Sequence, residues 1–167
     1  MEDVSIVRGI IIIIKEDYTI NKWTLAIVPT ASIDHHAMVL EASKTTYVKQ
    51  TPLEIIEQNC LNNGATFRGR QHASQQLLHK KQKVPIVIRE HPTRYAFPTQ
   101  SPKNFSCSWI IANHIIHIDV NKSTNETTFP TTIYFKSKQT LHLEESTYQI
   151  KQQFEQTLAL HQALKNG

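Results

Sequence analysis

Thr51-Pro-Leu-Glu-Ile-Ile-Glu-Gln-Asn-Cys-Leu-Asn-Asn-Gly64 is the stretch on which the reading of this chain turns. Threonine is a helix-capping residue type, and Pro52 suits the first helical position, where a missing N–H costs nothing. Glu54 falls in the first turn, where the helix dipole favours a carboxylate. Leu53, Ile56, Cys60 and Leu61 recur at helical spacing, and Gly64 is the residue type expected just past a helix C-terminus. The pattern predicts one well-bounded internal helix in a chain otherwise made of short β-rich segments.

Upstream, residues 6–14 are dense in β-branched side chains and read as a strand buried on both faces, broken only by Arg8 and Gly9. Residues 23–28, stopped by Pro29, then 37–42 and 45–48, read as further strands of a β-meander. Downstream of the helix, residues 74–79 suggest no more than a helical turn. A strand over 84–89, a turn at His91-Pro92-Thr93-Arg94 and an extension over 95–97 follow. Residues 109–120 read as one long apolar strand, with Ile110, Ala112, His114 and Ile116 on one alternating set. Residues 121–127 form a polar loop, and 132–135 and 140–143 flank Lys136-Ser-Lys-Gln as a hairpin. Ser146 opens a terminal helix with Ile150, Phe154 and Leu158, extended by His161, in a stripe at four-residue spacing. The order predicts an α+β fold of mostly antiparallel sheet with one internal helix and a C-terminal helix.

The chain has 167 residues, of which 40% are hydrophobic and 19% charged, with a net charge of +4. That is globular composition for a single domain over residues 1–167. The charge is concentrated. Between Ala65 and Tyr95 stand Arg68, Arg70, Lys80, Lys81, Lys83, Arg89 and Arg94 against one acid, Glu90. A localised basic segment is the footprint of a polyanion binder.

Catalytic chemistry finds no frame here. The sequence has no Gly-x-Ser-x-Gly elbow, Walker A loop or Gly-x-Gly-x-x-Gly fingerprint. Cys60 and Cys107 lack metal spacing and read as buried thiols. His114 and His117, three apart in a strand, would face opposite sides, and the adjacent His35 and His36 diverge, so no metal is expected. Asn121-Lys-Ser and Asn125-Glu-Thr match the glycosylation pattern by chance. Acids follow Met1 where a signal peptide would carry bases, and the isoleucine run over 10–14 is too short to span a bilayer, so the expectation is a soluble, cytoplasmic protein without a cofactor.

Pro52-Leu-Glu-Ile-Ile-Glu-Gln-Asn-Cys60, Asn63-Gly64, Phe67-Arg-Gly-Arg70, Lys83-Val-Pro-Ile-Val87, Phe97-Pro-Thr99 and Trp109-Ile110 occur in an order that resembles the ComK family of bacterial competence transcription factors. A weaker similarity runs over 132–146, and the resemblance covers about two-thirds of the chain, residues 45–154. It implies a DNA-binding activator of DNA-uptake genes that recognises paired A/T-rich boxes largely through the minor groove. It further implies a homodimer assembling on double-stranded DNA, with RNA polymerase and a Clp-protease adaptor as partners. Relative to the family, the chain reads as lacking the usual C-terminal tail, which leaves a non-activating interaction module or antagonist of a full-length relative as the alternative.

On the DNA-binding reading, Arg68, Arg70 and Arg94 are assigned to the groove or backbone and Lys80, Lys81 and Lys83 to phosphates. The helix opened by Thr51 carries Glu54 and Glu57 and no Lys or Arg, so it does not suit a recognition helix. Trp109, among apolar neighbours, reads as core and not as a wedge between bases.

Overall fold

In the computed structural model, which describes residues 2–122 and 128–166, Thr51 caps helix α1 (Pro52–Asn62). Its side chain accepts from Glu54 N at 3.2 Å while the Glu54 carboxylate accepts from Thr51 N, a reciprocal capping box. Gly64 takes φ +87° directly after the helix, a conformation that favours glycine. The buried face is Pro52, Ile55, Ile56, Asn59 and Cys60, so Leu61 is exposed. That set follows the i, i+3, i+4, i+7 rule more closely than the stripe expected from the sequence.

The strands are β1 (Glu2–Val7), β2 (Ile10–Lys15), β3 (Thr24–Pro29), β4 (Ala37–Glu41) and β5 (Thr45–Val48), then β6 (Ile86–Glu90), β7 (Thr93–Pro98) and β8 (Trp109–Ile111). They form one sheet in the order β1-β2-β5-β4-β3-β8-β7-β6. Every pairing is antiparallel except β2 with β5. A second sheet, β11-β10-β9, is built from β9 (Ile115–Val120), β10 (Thr131–Phe135) and β11 (Thr140–Leu143). Helix α2 (Phe67–Leu78) follows α1, and α3 (Thr147–Lys165) ends the chain. The fold is α+β with mostly antiparallel sheet, as the sequence implies, but a second internal helix stands where only a helical turn over 74–79 was expected.

Two cores lie on opposite faces of the large sheet. Trp109 and Ile111 join Ile55, Ile56 and Cys60 of α1 on one side. Ile110, between them in sequence, joins Ile133, Phe135 and Leu143 of the small sheet and Ile150 and Leu160 of α3 on the other. The period-2 alternation of β8 thus fills both cores, and each fully buried aliphatic side chain contributes about 1.5–3 kcal/mol. Trp109 is fully buried, as expected.

Three further sequence expectations change. The continuous strand over 109–120 breaks at a 3-10 turn, Ala112–His114, and its second half leaves for the small sheet. Asn113 explains the break. Its Oδ1 accepts from Tyr95 N at 2.9 Å and its Nδ2 donates to Thr93 O at 2.9 Å, so a side chain replaces the next strand pairing on β7. The expected strand over 6–14 is instead a hairpin turning at Arg8 (φ 51°) and Gly9 (φ 77°), with most of its isoleucines exposed. In α3, Ser146 caps as expected, but the buried positions are Ile150, Gln153, Thr157 and Leu160, while Leu158 is exposed. A strict four-residue step drifts off a 3.6-residue helix. Residues 123–127 of the expected polar loop, including the second glycosylation match at Asn125, lie outside the described residues.

Candidate nucleic-acid interface

Phe67-Arg-Gly-Arg70 opens α2, and its geometry sorts the basic residues. Thr66 caps the helix by accepting from Gly69 N at 3.0 Å. A Cβ at position 69 would sit 3.1 Å from the Thr66 hydroxyl, which explains a glycine between two arginines. Phe67 anchors the helix edge-on against Trp109, with ring centroids 5.9 Å apart. Arg68 and Arg70, two positions apart on a 3.6-residue turn, then point about 200° from one another. Arg68 faces a cleft of about 860 Å3 between α1, α2 and two loops. Arg70 goes the other way, where its Nη1 donates to Glu90 Oε1 at 2.8 Å and holds that carboxyl below its usual range.

The cleft collects Arg68, Lys81, Lys83 and Lys103, with Gln71 and Gln82 between them, against one carboxylate, Glu57. Its apolar lining includes Leu53, Leu61 and Phe67. Lys103 lies outside the basic segment of the sequence. It arrives on the loop between β7 and β8, and nothing in its local sequence marks it as a neighbour of Arg68. Lys80 is half-buried beside Lys81 and is not among the residues lining the cleft.

The lysine turn is held from two sides. Helix α2 ends at His79 in a left-handed conformation (φ 52°), with Lys80 N donating to Gln75 O and Gln75 Nε2 donating to Lys81 O at 2.8 Å. Lys83 is itself left-handed (φ 51°), an unfavourable conformation for a side chain with a Cβ. Beneath it, the buried Gln153 amide of α3 donates to Lys83 O at 2.8 Å and to Pro98 O at 2.7 Å.

Arg94 sits apart from the cleft. It is nearly covered, and burial, then the neighbouring Arg89, lowers its pKa, a placement that suits a structural cation. Of the six residues singled out from sequence, Arg68, Lys81 and Lys83 therefore share one surface, Lys80 borders it, and Arg70 and Arg94 do not join it. Asn62 and Asn63 finish α1: Asn62 accepts from Gln58 Nε2 at 3.0 Å, and Asn63 donates to Asn59 O at 2.8 Å. The outward face of α1 carries Glu54 and Glu57 and stays acidic, whereas α2 exposes Arg68, His72 and Gln76.

Among the described residues, the cysteines and Tyr18 are held in their neutral forms. Cys60 and Cys107 are buried free thiols, and burial pushes Cys60 up to about 11. Tyr18 donates to the buried Glu41 at 2.6 Å, and burial raises its phenol pKa far above the ordinary value. Among the described residues no group of three or more His, Cys, Asp or Glu side chains is placed to hold a metal ion, and no helix is long and apolar enough to cross a membrane.

The competence transcription factor of Bacillus subtilis (strain 168) is 28% identical over 102 residues, covering 60% of this chain and 53% of that protein. The chain thus spans about half the length of that curated relative. No solved structure matches. The family described as ComK protein matches residues 15–166, nearly the whole chain, and to that family the chain belongs.

Proposed function

We propose that this protein is a cytoplasmic competence transcription factor that binds double-stranded DNA through the cleft of Arg68, Lys81, Lys83 and Lys103. The observation that carries the reading is the convergence of four cations, from two loops and a helix, on one open surface of a chain of this family. Such cations displace counterions from phosphates and supply affinity without sequence preference. Discrimination then comes from A/T-rich boxes whose narrow minor groove draws in an arginine, and Arg68, the arginine that lines the cleft, supports that reading. Two copies occupy paired boxes and activate DNA-uptake genes in contact with RNA polymerase, and a Clp-protease adaptor limits the protein's lifetime.

A second reading has its own support. α1, the turn 63–66 and α2 form two consecutive helices, and the exposed side of α2 offers Arg68, His72 and Gln76 beside the half-buried Gln71. Arginine to guanine and glutamine to adenine are major-groove pairings. Gel shifts with boxes in which inosine–cytosine replaces A·T decide between the two, since inosine–cytosine keeps the minor-groove face and changes the major-groove face. Retained binding, together with competition by a minor-groove ligand, supports the first reading. Lost binding at preserved groove width supports α2 in the major groove. Equal affinity for A/T-box and G/C-rich duplexes removes sequence recognition altogether. A promoter-reporter assay separates an activator from a DNA-binding antagonist.

A further inference from the structure

The β1–β2 hairpin carries an anomaly that neither the cores nor the cationic cleft uses. Val4 lies opposite Ile13 and Ile6 opposite Ile11, and directly opposed residues of an antiparallel pair share one face. All four stand open to solvent: Ile6 is 73%, Ile11 68%, Val4 65% and Ile13 53% exposed. The other face is fastened to the body. Asp3 pairs with Lys49, Ser5 Oγ donates to Asp34 at 3.2 Å, and Ile14 is buried. The hairpin is thus held by one face and presents the other, an uninterrupted aliphatic patch on the order of several hundred Å2, the scale at which exposed apolar surface marks an interaction site. It also precedes residue 15, where the similarity to the family begins.

We infer that this face packs against the same face of a second copy of the chain, and is the surface of the homodimer. The inference rests on the DNA-binding reading for what the dimer does, not for where it forms. Charge selects the occupant. The centre of the patch is free of ionisable groups, Glu2 and Lys15 oppose one another at one rim, and exposed Arg8 stands at the other. A two-fold axis that sets the facing β1 strands antiparallel brings Glu2 of each copy to the Arg8 end of the other. The patch is therefore complementary to itself in shape class and in rim charge, as an isologous interface requires. Nucleic acid has no cationic stripe to follow on this face, and β1 is the outer strand of the large sheet.

Sedimentation velocity on the full chain over a concentration series tests the proposal. The wild type is expected to dimerise with rising concentration. Ile6→Lys with Ile11→Lys is expected to weaken dimerisation at least tenfold, with an unchanged circular dichroism spectrum and unchanged affinity for a single-box duplex, while cooperative binding to a two-box duplex is lost. Charge reversal supplies a control against misfolding: Glu2→Arg and Arg8→Glu each weaken the dimer, and together recover at least part of it. A wild-type monomer at every concentration overturns the inference, including one that captures RNA polymerase through this face. So does a lysine double variant that still dimerises, and a charge-reversed pair no better than either single change overturns the antiparallel arrangement. Failure of the wild type to bind any box would defeat the DNA reading while leaving the sedimentation result standing.

Discussion

Gln153 should be the residue through which the scaffold governs the basic surface, and its replacement is the most exposed consequence of the structure. Its amide is buried and donates two hydrogen bonds, to Lys83 O and Pro98 O, joining α3 to the lysine turn and to the end of β7. Gln153→Ala removes both bonds, each worth about 1 kcal/mol net, and strands two carbonyls in a covered site at a further cost. The expected loss is about 2–4 kcal/mol. Against a typical stability of about 5–15 kcal/mol the variant remains folded at room temperature. Urea titration at pH 7 measures the difference through the midpoint, with the slope unchanged. Gln153→Glu is the sharper probe, because it keeps the shape but aims a carboxylate at two carbonyl oxygens. Only the neutral acid can donate there, so the folded pKa rises above the unfolded value near 4.3. The variant is then most stable below that unfolded value and loses stability as pH rises through the raised one. A Gln153→Glu protein as stable as wild type at pH 7, or a Gln153→Ala loss below about 0.5 kcal/mol, refutes the hydrogen-bond argument. DNA affinity should drop by less than about tenfold in Gln153→Ala, since the turn loosens but its charges remain.

Other consequences are measurable. With four cations in the cleft, log affinity should fall with log salt at a slope of roughly −3 to −4 per protomer, and replacing Lys81, Lys83 and Lys103 by alanine should flatten it by about 3; an unchanged slope in a filter-binding salt series would place the contacts elsewhere. His79→Gly relieves a left-handed residue at the end of α2 and should stabilise by about 0.5–1 kcal/mol, read as a rise in melting temperature, whereas a fall would mean the imidazole has an unrecognised partner. Burial, then Arg94 and Lys136, pulls the His114 pKa below its ordinary 6.5. Its protonation is therefore taken up first by the unfolded chain, so stability contributed above pH 6.5 is lost as pH falls towards the depressed value; His114→Gln should shallow that decline in denaturation series between pH 7 and 5.

What the sequence determined by itself was local. Thr51 with Glu54, Ser146 with Gln149, Gly64, and the four-residue turn at Lys136-Ser-Lys-Gln set element ends through contacts between residues three or four apart. Such contacts are written in neighbouring letters, so the α+β order, the capped helix and the buried tryptophan were legible. Where the deciding partner is distant in sequence, the letters were insufficient. The run 109–120 has uninterrupted strand character, and only the Asn113 side chain, reaching Thr93 and Tyr95, ends one strand and sends the next to another sheet. Residues 6–14 have the composition of a core strand, yet lie at the margin of a sheet whose interior is filled by other segments. The basic segment announced a polyanion site but could not separate Arg68 from Arg70, because helical phase and the position of Glu90 put them on different surfaces. Nor could it add Lys103, which tertiary packing alone brings beside Lys81 and Lys83. Composition established that cations were present in excess, and the fold decided which of them share a surface.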